Sequence, residues 1–320
     1  MTGEARRAAA AAIAGADRLA IAGHTGPDGD AVGSALALAH AARNAGREAV
    51  VAFGGAAGLG DSYSFLDTSP LVPAADFPAE PEVMVVFDLG IASRLGELAG
   101  PASRAGTLIV VDHHPDPDPG FGDIQIVDPS AGAAAMLCAR LIADLGWPFG
   151  EEVARCLLTG IVTDTGRFQY SSTDGEILRL AADLVDAGAR PEVIGQAMYE
   201  SVPFGYLAVA AAVLGRAALD EEAGLVWSVV YRSDLARAGV GMEDVDALID
   251  DLRVAREAGV AALIKEVDGG LKVSLRSRGA VDVAAVAAAE GGGGHHNAAG
   301  FTATDGVDLV VERIRAALRA

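Results

Sequence analysis

Short apolar runs alternate with helical stretches through the first half of the chain. The runs are RLAIAGH (18–24), REAVVAF (47–53), VMVVFD (83–88), TLIVVDHH (107–114) and IQIVDP (124–129). Between several of them lie alanine-rich segments with helical spacing. One of these, AVGSALALAHAARNAG (31–46), closes on Gly46, as a helix C-terminus would. The alternation predicts a mostly parallel sheet with helices on both faces, a doubly wound α/β domain.

Farther along, CLLTGIVTDTGRF (156–168) predicts a helix running into a loop that delivers Asp164. A helical stretch from about Arg179 to Leu219 follows, broken near Pro203. A second β/α pattern then begins with GLVWSVVY (224–231) and a helix near Met242–Glu257, and continues with VAALIKEV (260–267) and LKVSLRS (271–277). A short helix, a glycine-rich run and a final helix close it. The expected organisation is an α/β domain over 1–190, a helical linker over 191–215 and a smaller α/β domain over 216–320. The N-terminal segment MTGEARRAAAAAIAGADRLA predicts the first helix of the fold and not a cleaved leader. No run of about 18 purely apolar residues predicts a membrane span.

The polar residues fall at one recurring place. His24, Asp88 and the triplet Asp112-His113-His114 each end a predicted strand, and open α/β sheets bind ligands outside those ends. The stretch HTGPDGD adds Asp28 and Asp30 beside His24. Taken alone it reads as a Pro-Asp-Gly turn, and Asp88 alone reads as a turn residue after a strand. His40, on an Ala/Leu helix, reads as a packed side chain, and Asp174, Asp183 and Asp186 as caps or solvated positions. Convergence of the pieces on one sheet edge changes the reading. Like charges so gathered either raise their pKa values or bind cations. Aspartates and imidazoles without thiolate suit Mn²⁺ or Mg²⁺ better than structural zinc. Five carboxylates and three imidazoles exceed the needs of one ion, so two are expected, with a carboxylate bridging them. Such a pair, about 3.5–4 Å apart, activates water and clamps both oxygens of an in-line phosphoryl displacement.

The second domain carries VSLRSRG and EGGGGHHNAAGF. Arg276 and Arg278 alternate around Ser277, which puts both on one strand face where they can fork onto phosphate. Gly291–Gly294 leave backbone N–H groups free to cradle an anion, with His295 or His296 close by.

Charge limits the partner. The chain has 24 basic and 44 acidic residues, a net charge of −20, which opposes binding of a long duplex through many phosphate contacts. A phosphate-bearing substrate should be small, or be met by local positive charge such as metal ions. The two cysteines, Cys138 and Cys156, lie in apolar helical surroundings without a CxxC, so a reduced, cytoplasmic setting is expected.

On these residues the chain resembles the DHH-family phosphoesterases along nearly all its length. HTGPDGDAVGS, VFDLGIASRLG, VVDHHPDPDPGFG and GIVTDTGRF are similar to the family's four motifs, and GGGGHHNAAGF to the signature of its associated C-terminal domain. The spacing and the short second domain resemble the bacterial nanoRNase (oligoribonuclease) and pAp phosphatase subgroup. The resemblance implies a metal-dependent hydrolase of short oligoribonucleotides and small nucleotides, among them 3′-phosphoadenosine 5′-phosphate, pApA-type dinucleotides and cyclic di-AMP. It implies two Mn²⁺ (or Mg²⁺) ions and release of 5′-mononucleotides or phosphate. His24 and Asp28 would bind one ion, Asp30 and His113 the other, Asp88 would bridge, and Asp164 would complete the site. Asp112 would orient a ligand histidine, and His114 would contact the scissile phosphate, as general acid. Arg276, Ser277, Arg278, Gly293, Gly294 and His295 or His296 would hold the substrate. A homodimer is expected. Gly26 departs from the family pattern, where a polar or basic residue is common. The rival readings are a manganese-dependent inorganic pyrophosphatase and a non-catalytic nucleotide sensor on the same scaffold.

Overall fold

A computed structural model describes residues 2–55, 58–115 and 117–319, and the side chains of Thr2 and His295 lie outside the description. The chain divides into two compact units, Met1–Glu200 and Ser201–Ala320.

The first unit begins with α1 (Thr2–Gly15), β1 (Arg18–Gly23), α2 (Gly29–Asn44), β2 (Glu48–Phe53) and β3 (Val83–Phe87). It continues with α3 (Ala99–Ser103), β4 (Thr107–Asp112), β5 (Ile124–Val127), α4 (Ala134–Asp144), α5 (Glu151–Asp164), α6 (Gly175–Asp186) and α7 (Pro191–Tyr199). The strands form one parallel sheet of order β2-β1-β3-β4-β5. Chain direction along the sheet reverses at β1, so the switch point lies between the carboxyl ends of β1 and β3.

Alternate side chains feed two cores. Leu19, Ile21, Val83, Val85 and Phe87 join the core built with α1, α2, α4 and α5, while Ala20, Ala22, Met84 and Val86 face the other side. That second side is covered by a 3-10 segment, Ala92–Leu98, the single-turn α3 and loop residues such as Phe77 and Phe121. The expected long helices therefore stand on one face, and the connections from β2 to β3 and from β3 to β4 are largely irregular. Helix α2 is buried over Gly29–Ala42, and its run of small residues is what lets α4 and α5 pack against it. His40 is buried at Ala/Leu positions, with Nε2 2.8 Å from the Asp67 carbonyl oxygen.

The second unit comprises α8 (Tyr206–Gly215), β6 (Ala218–Asp220), β7 (Leu225–Val230), α9 (Arg232–Ala238), α10 (Leu248–Arg253), β8 (Val260–Val267), β9 (Gly270–Ser277), α11 (Val283–Ala289), β10 (Gly293–His295), β11 (Ala298–Ala303) and α12 (Val307–Arg319). Its sheet runs β10-β11-β9-β8-β7-β6, parallel only between β7 and β8. α11 and α12 cover one face, and α8, α9 and α10 cover part of the other. The stretch read as a linker over 191–215 is two helices. Ile194 of α7 belongs to the first core and Val209 and Val213 of α8 to the second unit's core. The helix expected near Met242–Glu257 is a 3-10 turn, Glu243–Val245, followed by the short α10; the Asp244 carboxylate accepts the Gly241 N–H at 2.9 Å and holds that turn. No helix among the described residues is long and apolar enough to cross a membrane.

Candidate metal centre

The switch point gathers the polar residues. His24 follows β1, and its Nδ1 donates to the Thr25 carbonyl oxygen at 3.0 Å. The ring is thereby turned so that Nε2 faces Asp88 Oδ2 at 3.2 Å and Asp28 Oδ1 at 3.8 Å. Asp28 caps α2, its Oδ1 accepting the N–H groups of Asp30 and Ala31, each at 3.1 Å. The polar-turn reading of HTGPDGD is thus true of Asp28 and incomplete, because the same carboxylate faces His24.

Asp30, fully buried, sits where three helices meet. Its carboxylate accepts the N–H groups of Ala134 at 2.5 Å and Ala135 at 2.8 Å, and the Ser34 hydroxyl at 3.3 Å. The N-terminus of α4, whose own cap residue is Ala133, is satisfied by this aspartate from α2. Gly160 of α5 makes the approach feasible: a Cβ there would stand 2.7 Å from Asp30 Oδ1.

Asp88 follows β3 in the left-handed region, at φ +60°, a conformation that aspartate tolerates better than most residues. His113 donates from Nδ1 to the Ala131 carbonyl oxygen at 3.1 Å. Its Nε2 stands 3.5 Å from Asp88 Oδ1, 3.4 Å from Asp164 Oδ2 and 3.8 Å from Asp30 Oδ2. Asp164 is the last residue of α5. Asp112 Oδ1 accepts the backbone N–H groups of His113 at 2.9 Å and His114 at 3.2 Å, and lies 2.6 Å from His114 Nδ1. It therefore orients the pair of histidines, as a partner behind a ligand does.

Electrostatics follow from this crowding. Burial alone would lower the His24 pKa, but bonds to Asp28 and Asp88 carry it up to about 10. His113 is lifted against burial to about 11 by Asp88, with Asp164 and Asp30 adding to the effect. Burial and then the Asp88 charge raise Asp30 to about 7, and burial and Asp30 push Asp164 well above the carboxylate range. Asp88 is held well below that range: burial opposes its charge, yet His113 and His24 donate to it.

These donors fit divalent cations. Three groups, His24/Asp28/Asp88, Asp30/His113/Asp164 and Asp88/His113/His114, each present ligand atoms within 4.8 Å of one another. Neighbouring ligands on an octahedral ion with bonds of about 2.1 Å stand about 3 Å apart, close to the 3.2–3.8 Å gaps between imidazole nitrogen and carboxylate oxygen here. His24 and His113 each spend Nδ1 on a backbone carbonyl, which leaves Nε2 for an ion.

The second unit's candidate residues are differently placed. Arg276 of β9 pairs across the sheet with Ala261 and Ala298, whose small side chains leave room around its half-buried guanidinium. Ser277 is buried, its hydroxyl accepting the Gly279 N–H at 3.0 Å. Arg278 lies one residue past β9, where strand alternation no longer governs it. It donates to the carbonyl oxygens of Ala255 at 3.4 Å and Val254 at 3.3 Å. His296 Nε2 lies 3.2 Å from the Gly279 carbonyl oxygen, and the His295 side chain lies outside the described residues. Gly293 pairs with Gly300 across β10 and β11 with open space where its Cβ would be. At Gly294, by contrast, φ is +140° and a Cβ would meet the Ala298 carbonyl oxygen at 2.5 Å. That glycine is required by packing.

A parallel sheet of this strand order, with imidazoles and carboxylates converging at its switch point, followed in the chain by a mixed-sheet domain, defines a two-domain, metal-dependent phosphoesterase. The chain belongs to the DHH family of phosphoesterases: the model of the DHH family, N-terminal domain, matches residues 18–161 and that of the DHHA1 domain matches residues 224–320. It is 34% identical over 306 residues to the bifunctional oligoribonuclease and PAP phosphatase NrnA of Thermus thermophilus, covering 93% of this chain and 88% of that one. The Bacillus subtilis protein of the same name is 26% identical over 264 residues, covering 81% and 80%. The fold is shared with an exopolyphosphatase-related protein from Bacteroides fragilis, at a TM-score of 0.91 and 24% identity over 99% of this chain and 96% of that one.

Proposed function

We propose that this chain hydrolyses short oligoribonucleotides and small nucleotides such as 3′-phosphoadenosine 5′-phosphate and pApA, releasing 5′-mononucleotides or phosphate. The activity named for its Thermus and Bacillus relatives supports the substrate class. The single observation that carries the reading is the sharing of Asp88 and His113 between neighbouring ligand groups, the arrangement a bridged metal pair needs. In this reading His24, Asp28 and Asp88 hold one ion, and Asp30, His113 and Asp164 hold the other, with Asp88 between them. Mn²⁺, or Mg²⁺ in its place, would supply Lewis-acid polarisation of the phosphate and a lowered pKa for attacking water.

The side chains have their own work. His114, with Nδ1 tied to Asp112 Oδ1, is fixed in the orientation that keeps Nε2 for the substrate, where a proton can pass to the leaving oxygen. Asp112 positions it and takes no direct part. Arg276 binds a substrate phosphate through its guanidinium, so Arg276→Ala should raise KM more than it lowers kcat. Two free, buried cysteines suit a reducing cytoplasm.

The test is metal-dependent hydrolysis, with Mn²⁺ or EDTA, of 3′-phosphoadenosine 5′-phosphate, pApA, cyclic di-AMP, a short oligoribonucleotide and pyrophosphate side by side. Turnover of the linear nucleotides with Mn²⁺, abolished by EDTA, is the expected result, and cyclic di-AMP measures how far the substrate range extends. Cleavage of pyrophosphate alone would overturn the reading in favour of a pyrophosphatase.

A further inference from the structure

Directly after Asp164 the chain passes through Gly166, Arg167 and Phe168 at φ +55°, +62° and +63°. Three consecutive left-handed residues, two bearing side chains, persist only when their surroundings lock them. Here the Thr165 hydroxyl donates to the Ile161 carbonyl oxygen at 2.6 Å and accepts the Phe168 N–H at 3.0 Å. The Arg167 N–H donates to the Val162 carbonyl oxygen at 2.8 Å, and the Tyr170 ring fills the space beside Gly166. The turn carries Arg167 to Tyr199, with the guanidinium carbon 4.7 Å from the ring centroid.

Arg167 is exposed and, among the described residues, no carboxylate pairs with it. In a chain of net charge −20 other arginines of this unit are taken by acids, as Arg140 and Arg155 are. The Arg167 guanidinium thus rests on an aromatic ring while the residue stays exposed to solvent. The pair also borders the metal centre. Arg167 follows Asp164 by three residues, and the 3-10 turn Asp61–Tyr63 packs on α7, which bears Tyr199. The phenol of Tyr63 is pushed up by burial, then by the charge of Asp28, then by Tyr199, so it lies within electrostatic reach of both.

We propose that Arg167, stacked on Tyr199, is the platform for the nucleobase of a second nucleoside, the one that keeps the scissile phosphate as its 5′-phosphate after the 3′-oxygen of the first nucleoside has left. The inference rests on the phosphoesterase reading above and adds a subsite to it. A flat, weakly hydrated cation exposed to solvent is a stacking surface for any base. Its N–H edge remains available to phosphate or ribose oxygen. A base is neutral, so it enters an acidic protein without the penalty a further phosphate would meet. A substrate with one nucleoside, 3′-phosphoadenosine 5′-phosphate, leaves this platform empty; a dinucleotide fills it.

The experiment is kcat/KM with Mn²⁺ for pApA and for 3′-phosphoadenosine 5′-phosphate in the wild type, Arg167→Asn and Tyr199→Leu. Asparagine tolerates positive φ, so the turn survives. The ratio of pApA to 3′-phosphoadenosine 5′-phosphate turnover should fall by about tenfold or more in Arg167→Asn, chiefly through KM for pApA, and Tyr199→Leu should move it the same way. Equal losses on both substrates would mean that the turn serves only to place Asp164, and an unchanged ratio would mean that no base stacks there. Either result overturns the inference while leaving the phosphoesterase intact. A wild type that cleaves neither substrate overturns the phosphoesterase reading, and the subsite falls with it.

Discussion

His24 Nε2 stands 3.2 Å from Asp88 Oδ2, and this contact joins the two strands that flank the sheet's switch point. The other oxygen of Asp88 faces His113 at 3.5 Å. One carboxylate thus links residues from the ends of β1, β3 and β4. Asp88→Asn keeps the shape and tolerates φ +60° but removes the charge that two ligand sets share. Hydrolysis should fall by more than about 100-fold, with a circular dichroism spectrum like the wild type's. Turnover within a few-fold of wild type would sink the bridging assignment.

The metal-free chain should lose stability as pH rises from about 6 to about 9. His24 and His113, held at about 10 and about 11, keep protons that the unfolded chain releases near 6.5. Their contribution is fully present below 6.5 and is lost as pH climbs through those folded values. Asp30, raised to about 7 from 3.8, has the same sign over its own range, because its buried charge costs energy once formed. Asp88, held low, opposes this only as pH falls through the acid range. Ligation requires deprotonated imidazole, so Mn²⁺ should stabilise more at the higher pH and release protons on binding. Thermal melts in EDTA and in Mn²⁺ across this range would show the two trends crossing; a metal-free Tm that rises with pH contradicts the assignment.

Helix propensity and packing disagree at Gly160, and their magnitudes decide the outcome. Alanine there gains about 1 kcal/mol of helix propensity. Its Cβ would stand 2.7 Å from Asp30 Oδ1 and 2.8 Å from the Ala135 Cβ, and overpacking of that kind costs about 1–3 kcal/mol. Gly160→Ala should therefore lower Tm and weaken Mn²⁺ binding together, because the atom displaced belongs to a carboxylate proposed to hold the ion. Gly195→Ala in α7, with nothing within 4 Å of the new Cβ, should raise Tm slightly. If both substitutions stabilise, α2 and α5 are not packed as closely as described.

Much of this arrangement is legible in the sequence. β1 to β4 are apolar because both sheet faces are buried along them, so the runs stand out, and His24, Asp88 and Asp112 end three of them. Asp164 is legible as the end of a helix leading into a loop. What escaped depends on contacts distant in sequence. The ownership of α7 and α8 by different cores cannot be read from their own periodicity. Arg278 departs from Arg276 because β9 stops between them, at Ser277. The Arg167–Tyr199 stack joins residues 32 positions apart through left-handed backbone, and the only local signal was the glycine of TDTGRF.

In the second unit Lys265 is buried to 1% side-chain exposure and paired with Asp246, whose own side chain is 59% exposed. Burial pulls the ammonium pKa down while Asp246 resists. The asymmetry predicts unequal results from the two partners. Asp246→Ala leaves a buried cation without its anion and should cost about 1–3 kcal/mol, less than a fully enclosed pair because water reaches the vacated position. Lys265→Met removes the charge that needed compensation, keeps the packing of the stem and leaves Asp246 in solvent, so it should be near neutral. The double variant should then match Lys265→Met alone, since the carboxylate has nothing left to stabilise. Urea unfolding of the full chain in a Trp147→Phe background, which leaves Trp227 as the remaining tryptophan, measures all three by fluorescence. Equal destabilisation by both single variants would show that the pair contributes through its geometry and not through the burial of Lys265.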